Sequence, residues 1–216
     1  MGSQKTRQDI ITIACDFNTS GLSAGKSGNL SVRREDGFLI TPTGISYDQL
    51  IPDNIVHCDQ NGRVISGDFI PSSEWPFHAA IYEAREEVNA VVHVHSPYAT
   101  ALACTRKPIP AFHYMIAVAG GNTIPCADYA TFGSSDLSKN IVTALAGHTA
   151  CLMANHGMVA VGDSLVSAYN LTHEVEALAK RYCISLQCGG PVFIDDIEME
   201  TIVEKFKIYG KQNKDN

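Results

Sequence analysis

The sequence predicts an α/β protein: a single-domain α/β/α sandwich around a mostly antiparallel central sheet. Three observations carry that expectation. The chain has 216 residues, which suits one domain at a prior of about 150 residues each and allows a core that buries roughly 70% of the unfolded surface. Stretches of helical period alternate with short β-rich runs. Two pairs of those runs are joined by Asp-Gly and Asn-Gly, the dipeptides of tight hairpins, so the joined strands are antiparallel neighbours. No repeat, low-complexity tract or linker divides residues 1–216, and a doubly wound nucleotide fold is not expected.

A first helix is expected from Thr6 to Thr19, because Ile10, Ile11, Ile13, Ala14 and Phe17 form one stripe and Gly21 follows as a stop. Leu30–Arg33 and Phe38–Thr41 flank Glu35-Asp36-Gly37, and Ile55–Cys58 and Arg63–Ile65 flank Asn61-Gly62, giving two hairpins. A helix from Ser73 to Glu86, capped by Ser72 or Ser73, has Phe77, Ala80, Ile81 and Ala84 as its apolar stripe. Val88–His95 is a buried strand, and Pro97 opens a short helix that runs through Cys104. Thr123–Pro125 and Cys151–Met153 are further strands around a helix from Ser134 to Ala146. A long amphipathic helix covers Leu165–Leu186, and a last one follows Asp195-Asp196 to about Tyr209.

Composition narrows the function. Hydrophobic residues at 45% exclude disorder. No apolar run is long enough to span a bilayer, and the first residues carry no apolar signal segment, so a cytoplasmic protein without a membrane partner is expected. A net charge of −7 argues against nucleic acid. Charged residues are only 18%, against a usual ~25%, a shortfall that suggests surface hidden between subunits. Seven cysteines without a C-x-x-C pair suit buried thiols in a reducing compartment.

The sharpest local feature is His93-Val94-His95 at a strand end. Residues i and i+2 share a face, so both imidazoles project together with spacing suited to one metal ion. His156 follows the apolar run Leu152-Met153-Ala154-Asn155, where an unpartnered ring would be costly, and is a candidate third ligand. His148, beside Gly147, suits a helix end, and His57 and His173 are expected to be structural. Glu74, at a helix start, either complements the helix dipole or acts as a general base beside a cation. Lys26-Ser27-Gly28-Asn29, Thr41-Pro42-Thr43-Gly44 and Ser72-Ser73 are polar turns able to cradle a phosphate, though none matches a Walker loop or a dinucleotide fingerprint.

Taken in order, Ser27-Gly28-Asn29-Leu30-Ser31, Thr41-Pro42-Thr43-Gly44, Ser72-Ser73-Glu74-Trp75, His93-x-His95 and Asn155-His156-Gly157 resemble the class II aldolase/adducin family, with the likeness covering about residues 5–210. Ile109–Ile116, Ala119–Cys126, Tyr129–Gly133, His173–Glu176 and Glu204–Gly210 are most similar to its members that act on L-fuculose 1-phosphate. The resemblance implies a zinc-dependent aldolase that releases dihydroxyacetone phosphate and L-lactaldehyde through an enediolate. It implies one Zn²⁺ per subunit on His93, His95 and His156 with Glu74, and catalysis by Glu74 and Tyr114. It further implies phosphate and substrate binding by Ser27, Gly28, Asn29, Thr43, Gly44, Ser72 and Ser73, and a pocket bordered by Phe132 and Tyr209. A homotetramer with Tyr114 donated across a subunit interface also follows from it. Lys26 and Asn155 depart from the pattern, standing where a hydroxyl residue and a histidine are familiar. A pentulose-phosphate 4-epimerase, a methylthioribulose-1-phosphate dehydratase and a non-catalytic adducin-like module are the alternatives. The Phe112-His113-Tyr114 and Tyr129–Gly133 segments favour the aldolase, and the intact His93, His95, His156 and Glu74 speak against the module.

Overall fold

A computed structural model describes residues 2–206 of the chain. The strands are β1 (Asn29–Arg34), β2 (Gly37–Ile40), β3 (Val56–Cys58), β4 (Val64–Ser66), β5 (Ala90–Val94), β6 (Cys126–Ala127), β7 (Ala150–Met153) and β8 (Gly157–Gly162). They form one sheet in the order β4-β3-β2-β1-β5-β8-β7-β6. Both expected hairpins are present, and every pairing is antiparallel except that of β6 with β7. The helices are α1 (Gly2–Thr19), α2 (Trp75–Ala84), α3 (Pro97–Ala103), α4 (Ser135–Ala144), α5 (Leu165–Gln187) and α6 (Asp196–Phe206).

Period-2 alternation along the strands divides the core between two faces. Ala90, Val92 and Val94 of β5, with Met158 and Ala160 of β8, pack with Ile10, Ala14 and Phe17 of α1 and with α3, α5 and α6. Val91, Val159 and Val161 face the other way, onto Phe77 and Ile81 of α2 and Leu137 and Ile141 of α4. Helices therefore cover both faces, as the sequence predicts. Fully burying such a side chain contributes about 1.5–3 kcal/mol, so the two layers supply most of the drive to fold. His93 alternates with Val92 and Val94 and so points to the α2/α4 face, where its ring meets Phe77 edge-on at 5.7 Å.

Four expectations are corrected. The strand expected at Thr123–Pro125 lies instead at Cys126–Ala127, and Ile124 makes only an isolated bridge to Ile109. Pro125 lacks the N–H that a ladder needs there. The strand Gly157–Gly162 and the 3-10 turn Tyr114–Ala119 were not anticipated. Helix α2 starts at Trp75, leaving Glu74 at the N-cap and not inside the first turn. Its buried face holds Phe77, His78, Ile81 and Tyr82, while Ala84 is exposed: the helix is rotated towards two polar side chains. Finally, no acidic cluster is expected near His57 on its strand, yet its Nε2 lies 2.9 Å from Asp36 Oδ1. Ser134 caps α4 as expected, its side chain accepting from the Leu137 N–H. Tyr209 lies outside the described residues.

Ile141 is fully buried where α4 meets α2. Its replacement by alanine should remove about 2–5 kcal/mol of stability through lost transfer energy and a cavity, read as a lower urea midpoint at unchanged m-value.

Candidate active site

Two segments far apart in sequence converge through sheet register. Pairing of β5 with β8 sets His93 opposite Val159 and Val94 opposite Met158, so His93 and His95 come up beside the turn that carries His156. Gly157 permits the approach: a Cβ there would stand 2.6 Å from the Val94 carbonyl oxygen and 2.8 Å from the His95 ring. Gly28 does the same for the facing loop, with φ at +89° and space for no side chain against the His93 carbonyl. The three rings lie edge-to-face, with centroids 4.8–5.0 Å apart.

One nitrogen of each histidine falls within 4.8 Å of the others, and this His93, His95, His156 group is a candidate metal centre. The donor chemistry fits a cation. His93 Nδ1 lies 2.9 Å from the Met158 carbonyl oxygen, which only accepts, so Nδ1 carries the hydrogen and Nε2 turns its lone pair into the cluster, 3.0 Å from His95 Nε2. Glu74 reaches the same point. Its Oε2 is 3.2 Å from His93 Nε2 and its Oε1 is 3.3 Å from His156 Nε2, while Oε1 is buried with no hydrogen bond among the described residues. Three imidazoles and a carboxylate form an N/O set suited to Zn²⁺ and its divalent neighbours.

Burial and the adjoining rings push His95 down to about 3, and burial with His93 pushes His156 down to about 4, against the pull of Glu74. Both rings are therefore neutral and able to bind a metal at physiological pH. Burial alone would raise the Glu74 carboxyl, but His93, His156 and the Asn29 amide outweigh it and hold it well below the usual carboxylate range.

The cluster opens into a cavity of about 350 Å³. Ser27, Gly28, Asn29, Thr43, Gly44, Ser72, Ser73, Glu74, Phe132, His95 and His156 all line it, so the fold brings the three polar turns together. His93 sits behind them, fully buried. Lys26 is the cavity's one lysine or arginine among the described residues, and its Nζ donates to the Gly44 carbonyl at 2.8 Å. Tyr114 is not brought in: it is 49% exposed on its 3-10 turn and stacks on His113. Asn155 and Tyr129 line the cavity without having been singled out as site residues.

Sequence reasoning also missed His78, which is wholly buried and bonded to Asn29 Oδ1 at 2.6 Å. Its spacing of four from Glu74 was the available signal, because i and i+4 share a helix face.

The model for the class II aldolase and adducin N-terminal domain matches residues 8–183. The chain belongs to the class II aldolase/adducin family. A 5-methylthioribulose-1-phosphate/5-deoxyribulose-1-phosphate aldolase of Rhodospirillum rubrum is 49% identical over 94% of this chain and 92% of its own length. An L-fuculose phosphate aldolase of Escherichia coli O6:H1 is 47% identical over 97% of this chain and 98% of its own. A solved structure named L-fuculose 1-phosphate aldolase superposes with a TM-score of 0.89 at 44% identity, covering 93% of this chain and 95% of that one. The class II aldolase fold seen here is thus shared along nearly the whole length. Among the described residues no helix is long and apolar enough to cross a membrane.

His78 makes a pH prediction possible. Burial, then the nearby His93 ring, lower it to about 3 in the folded chain, against an ordinary value near 6.5. Between those values the unfolded chain holds a proton that the folded one does not, so stability is present above pH ~6.5 and falls on acidification by about 1.4 kcal/mol per pH unit. Urea unfolding of metal-free protein from pH 6.5 to 4 should show a slope shallower by about one proton in His78→Gln.

Proposed function

We propose that the chain is a divalent-metal-dependent aldolase that cleaves a ketose 1-phosphate to dihydroxyacetone phosphate and an aldehyde. The metal is zinc, and L-fuculose 1-phosphate, releasing L-lactaldehyde, is a substrate. The observation that carries this reading is the meeting of His93, His95, His156 and Glu74 at a cavity whose wall includes Ser27, Thr43, Ser72, Ser73 and Lys26. The whole chain acts as one class II aldolase-like domain. The seven free thiols support action in a reducing cytoplasm.

His93, His95 and His156 hold the metal, with Glu74 beside it. A divalent cation held there would supply Lewis-acid stabilisation of the negative charge that develops on the ketone side of the breaking bond. The residues do the rest. Ser27, Gly28, Asn29, Thr43, Gly44, Ser72 and Ser73 anchor the phosphate and fix the reacting carbons relative to Glu74, which lowers the entropy of activation. As the carbon–carbon bond breaks, a proton leaves the hydroxyl that becomes the aldehyde oxygen, and one reaches the carbon of the three-carbon fragment. The Tyr114 phenol accepts the oxygen proton as it passes its own on, and the Glu74 carboxylate takes up that one proton and delivers it to the carbon, so a single proton is moved and both residues return to their starting state.

Tyr114 comes from a neighbouring subunit in a homotetramer. Its half-exposed ring and its absence from the cavity of its own chain support that arrangement. Phe132, 65% exposed, and Tyr129, 55% exposed, form the outer lip with apolar area that a bound aldehyde group or a second subunit would cover.

A second substrate is favoured by the 49% identical relative named for methylthioribulose and deoxyribulose 1-phosphates. The phosphorylated three-carbon end is common to all these ketoses. The polar inner wall is suited to that shared end, and the aromatic lip to the part that varies.

Release of dihydroxyacetone phosphate should be measured from L-fuculose 1-phosphate and 5-deoxyribulose 1-phosphate in parallel, before and after chelation. Activity should vanish with chelator and return with zinc. Failure of zinc-loaded protein on both substrates overturns the aldolase reading and favours a test of epimerisation. His95→Ala should lose stoichiometric zinc. Glu74→Gln should lower kcat by about 10²–10⁴-fold, the range for a lost general acid–base.

A further inference from the structure

Behind Glu74 two rows of polar side chains interdigitate in the dry layer between sheet and helix. Asn29, Ser31 and Arg33 alternate along one face of β1, and Glu74, His78 and Tyr82 recur at intervals of four along α2. Asn29 Nδ2 donates to Glu74 Oε2 at 2.9 Å, and Asn29 Oδ1 lies 2.6 Å from His78 Nε2. His78 Nδ1 lies 2.7 Å from Ser31 Oγ, which is 2.7 Å from the Tyr82 hydroxyl. The Arg33 guanidinium closes the row, 4.7 Å over the Tyr82 ring. Asn29, Ser31, Glu74, His78 and Tyr82 are all buried.

The direction of every bond follows from one end. A carboxylate only accepts, so Asn29 must turn its amide nitrogen to Glu74 and its oxygen to His78. His78 must then carry its hydrogen on Nε2, leaving Nδ1 to accept from Ser31, whose oxygen accepts from Tyr82. Ser31 and His78 are fully buried, so each must find its partners within the row.

We propose that His78 is a positioning residue for the reaction: held in its Nε2–H tautomer by Ser31 and Tyr82, it locks the Asn29 amide and through it the Glu74 carboxylate. The inference rests on the reading of Glu74 as the group that moves the carbon proton. The same lock reaches the cavity wall, because Asn29 both lines it and holds Glu74.

Two conservative variants separate positioning from packing. The amide of glutamine reaches the place of Nε2 and can still donate to Asn29, whereas that of asparagine reaches only the place of Nδ1. In zinc-loaded protein His78→Asn should lower kcat about 10–100-fold with KM within about twofold, the scale for groups that orient metal-site residues, and His78→Gln should stay within about threefold of wild type. Bound zinc should be equal in all three. Should His78→Asn not fold, Ser31→Ala frees the tautomer at little volume change and should lower kcat with the same constant KM. Equal kcat in the two His78 variants, wild-type kcat in Ser31→Ala, or a loss that parallels lost zinc overturns the proposal. Glu74→Gln measured alongside separates the two readings: if it is inactive while the His78 variants match, only the positioning role falls, and if it keeps full turnover, the role of Glu74 falls first.

Discussion

Antiparallel pairing of β5 with β8 sets His93 across from Val159, and the candidate centre depends on that register more than on any single contact. A slip of one residue would turn His93 to the opposite face, towards Met158 and Ala160 of β8, and carry His95 with it. The register is held by apolar alternation, because Val92 and Val94 belong to one core layer and Val91 to the other. Packing thus aims the histidines: the energy that selects the register comes from neighbouring valines, and the polar rings follow. The absence of a Cβ at Gly157 then lets the facing turn come close enough for His156 to join them.

Such a centre is a local liability to the fold. Three imidazoles crowd within contact distance of one another beside a buried carboxylate oxygen that has no hydrogen bond among the described residues. That oxygen has been buried without gaining a hydrogen bond. The surrounding layers carry the deficit, with Phe77, Val91, Met153 and Val159 all buried around the rings. The arrangement is a place where local consistency is broken, and such places mark function more often than error. A divalent cation held by the three imidazoles would relieve the conflict.

Much of this was legible in sequence, for identifiable reasons. Period 2 puts His93 and His95 on one face whatever the rest of the fold does. The Asp-Gly and Asn-Gly turns fix their hairpins locally. The turn between β7 and β8 was harder, because Asn155 supplies a left-handed residue (φ 55°) without the glycine that usually signals one, so Gly157–Gly162 was not read as a strand. His78 and Tyr82 were hidden for another reason. An apolar stripe through Ala80 and Ala84 is the better choice for α2 taken alone, and only the partners that Asn29 and Ser31 offer from β1 make the polar face the buried one. Tyr114 is not placed at the cavity by one chain, since it is half-exposed and does not line that cavity.

The turn that presents His156 shows how the strain at this site is held. Arg106 (φ 57°) and Asn155 (φ 55°) are the only non-glycine residues with left-handed backbone among those described, and they are bonded to each other, Arg106 Nε donating to Asn155 Oδ1 at 2.7 Å. Asparagine tolerates that conformation better than most residues, but a pair still costs about 1–3 kcal/mol each. The Asn155 N–H donates to the Ala103 carbonyl at the end of α3, which ties the turn to a helix. That helix is anchored at its other end, where Glu176 of α5 accepts from the Tyr98 and Ala99 N–H groups at 2.9 Å each. A carboxylate at a helix N-terminus satisfies orphan donors and complements the dipole. His156 is thus held from the long helix α5 through α3 to the Asn155 turn, while Glu74 is held from β1 through Asn29. The two supports lie on opposite faces of the sheet and meet only at the histidine cluster, so its geometry is set by the packing of both layers at once.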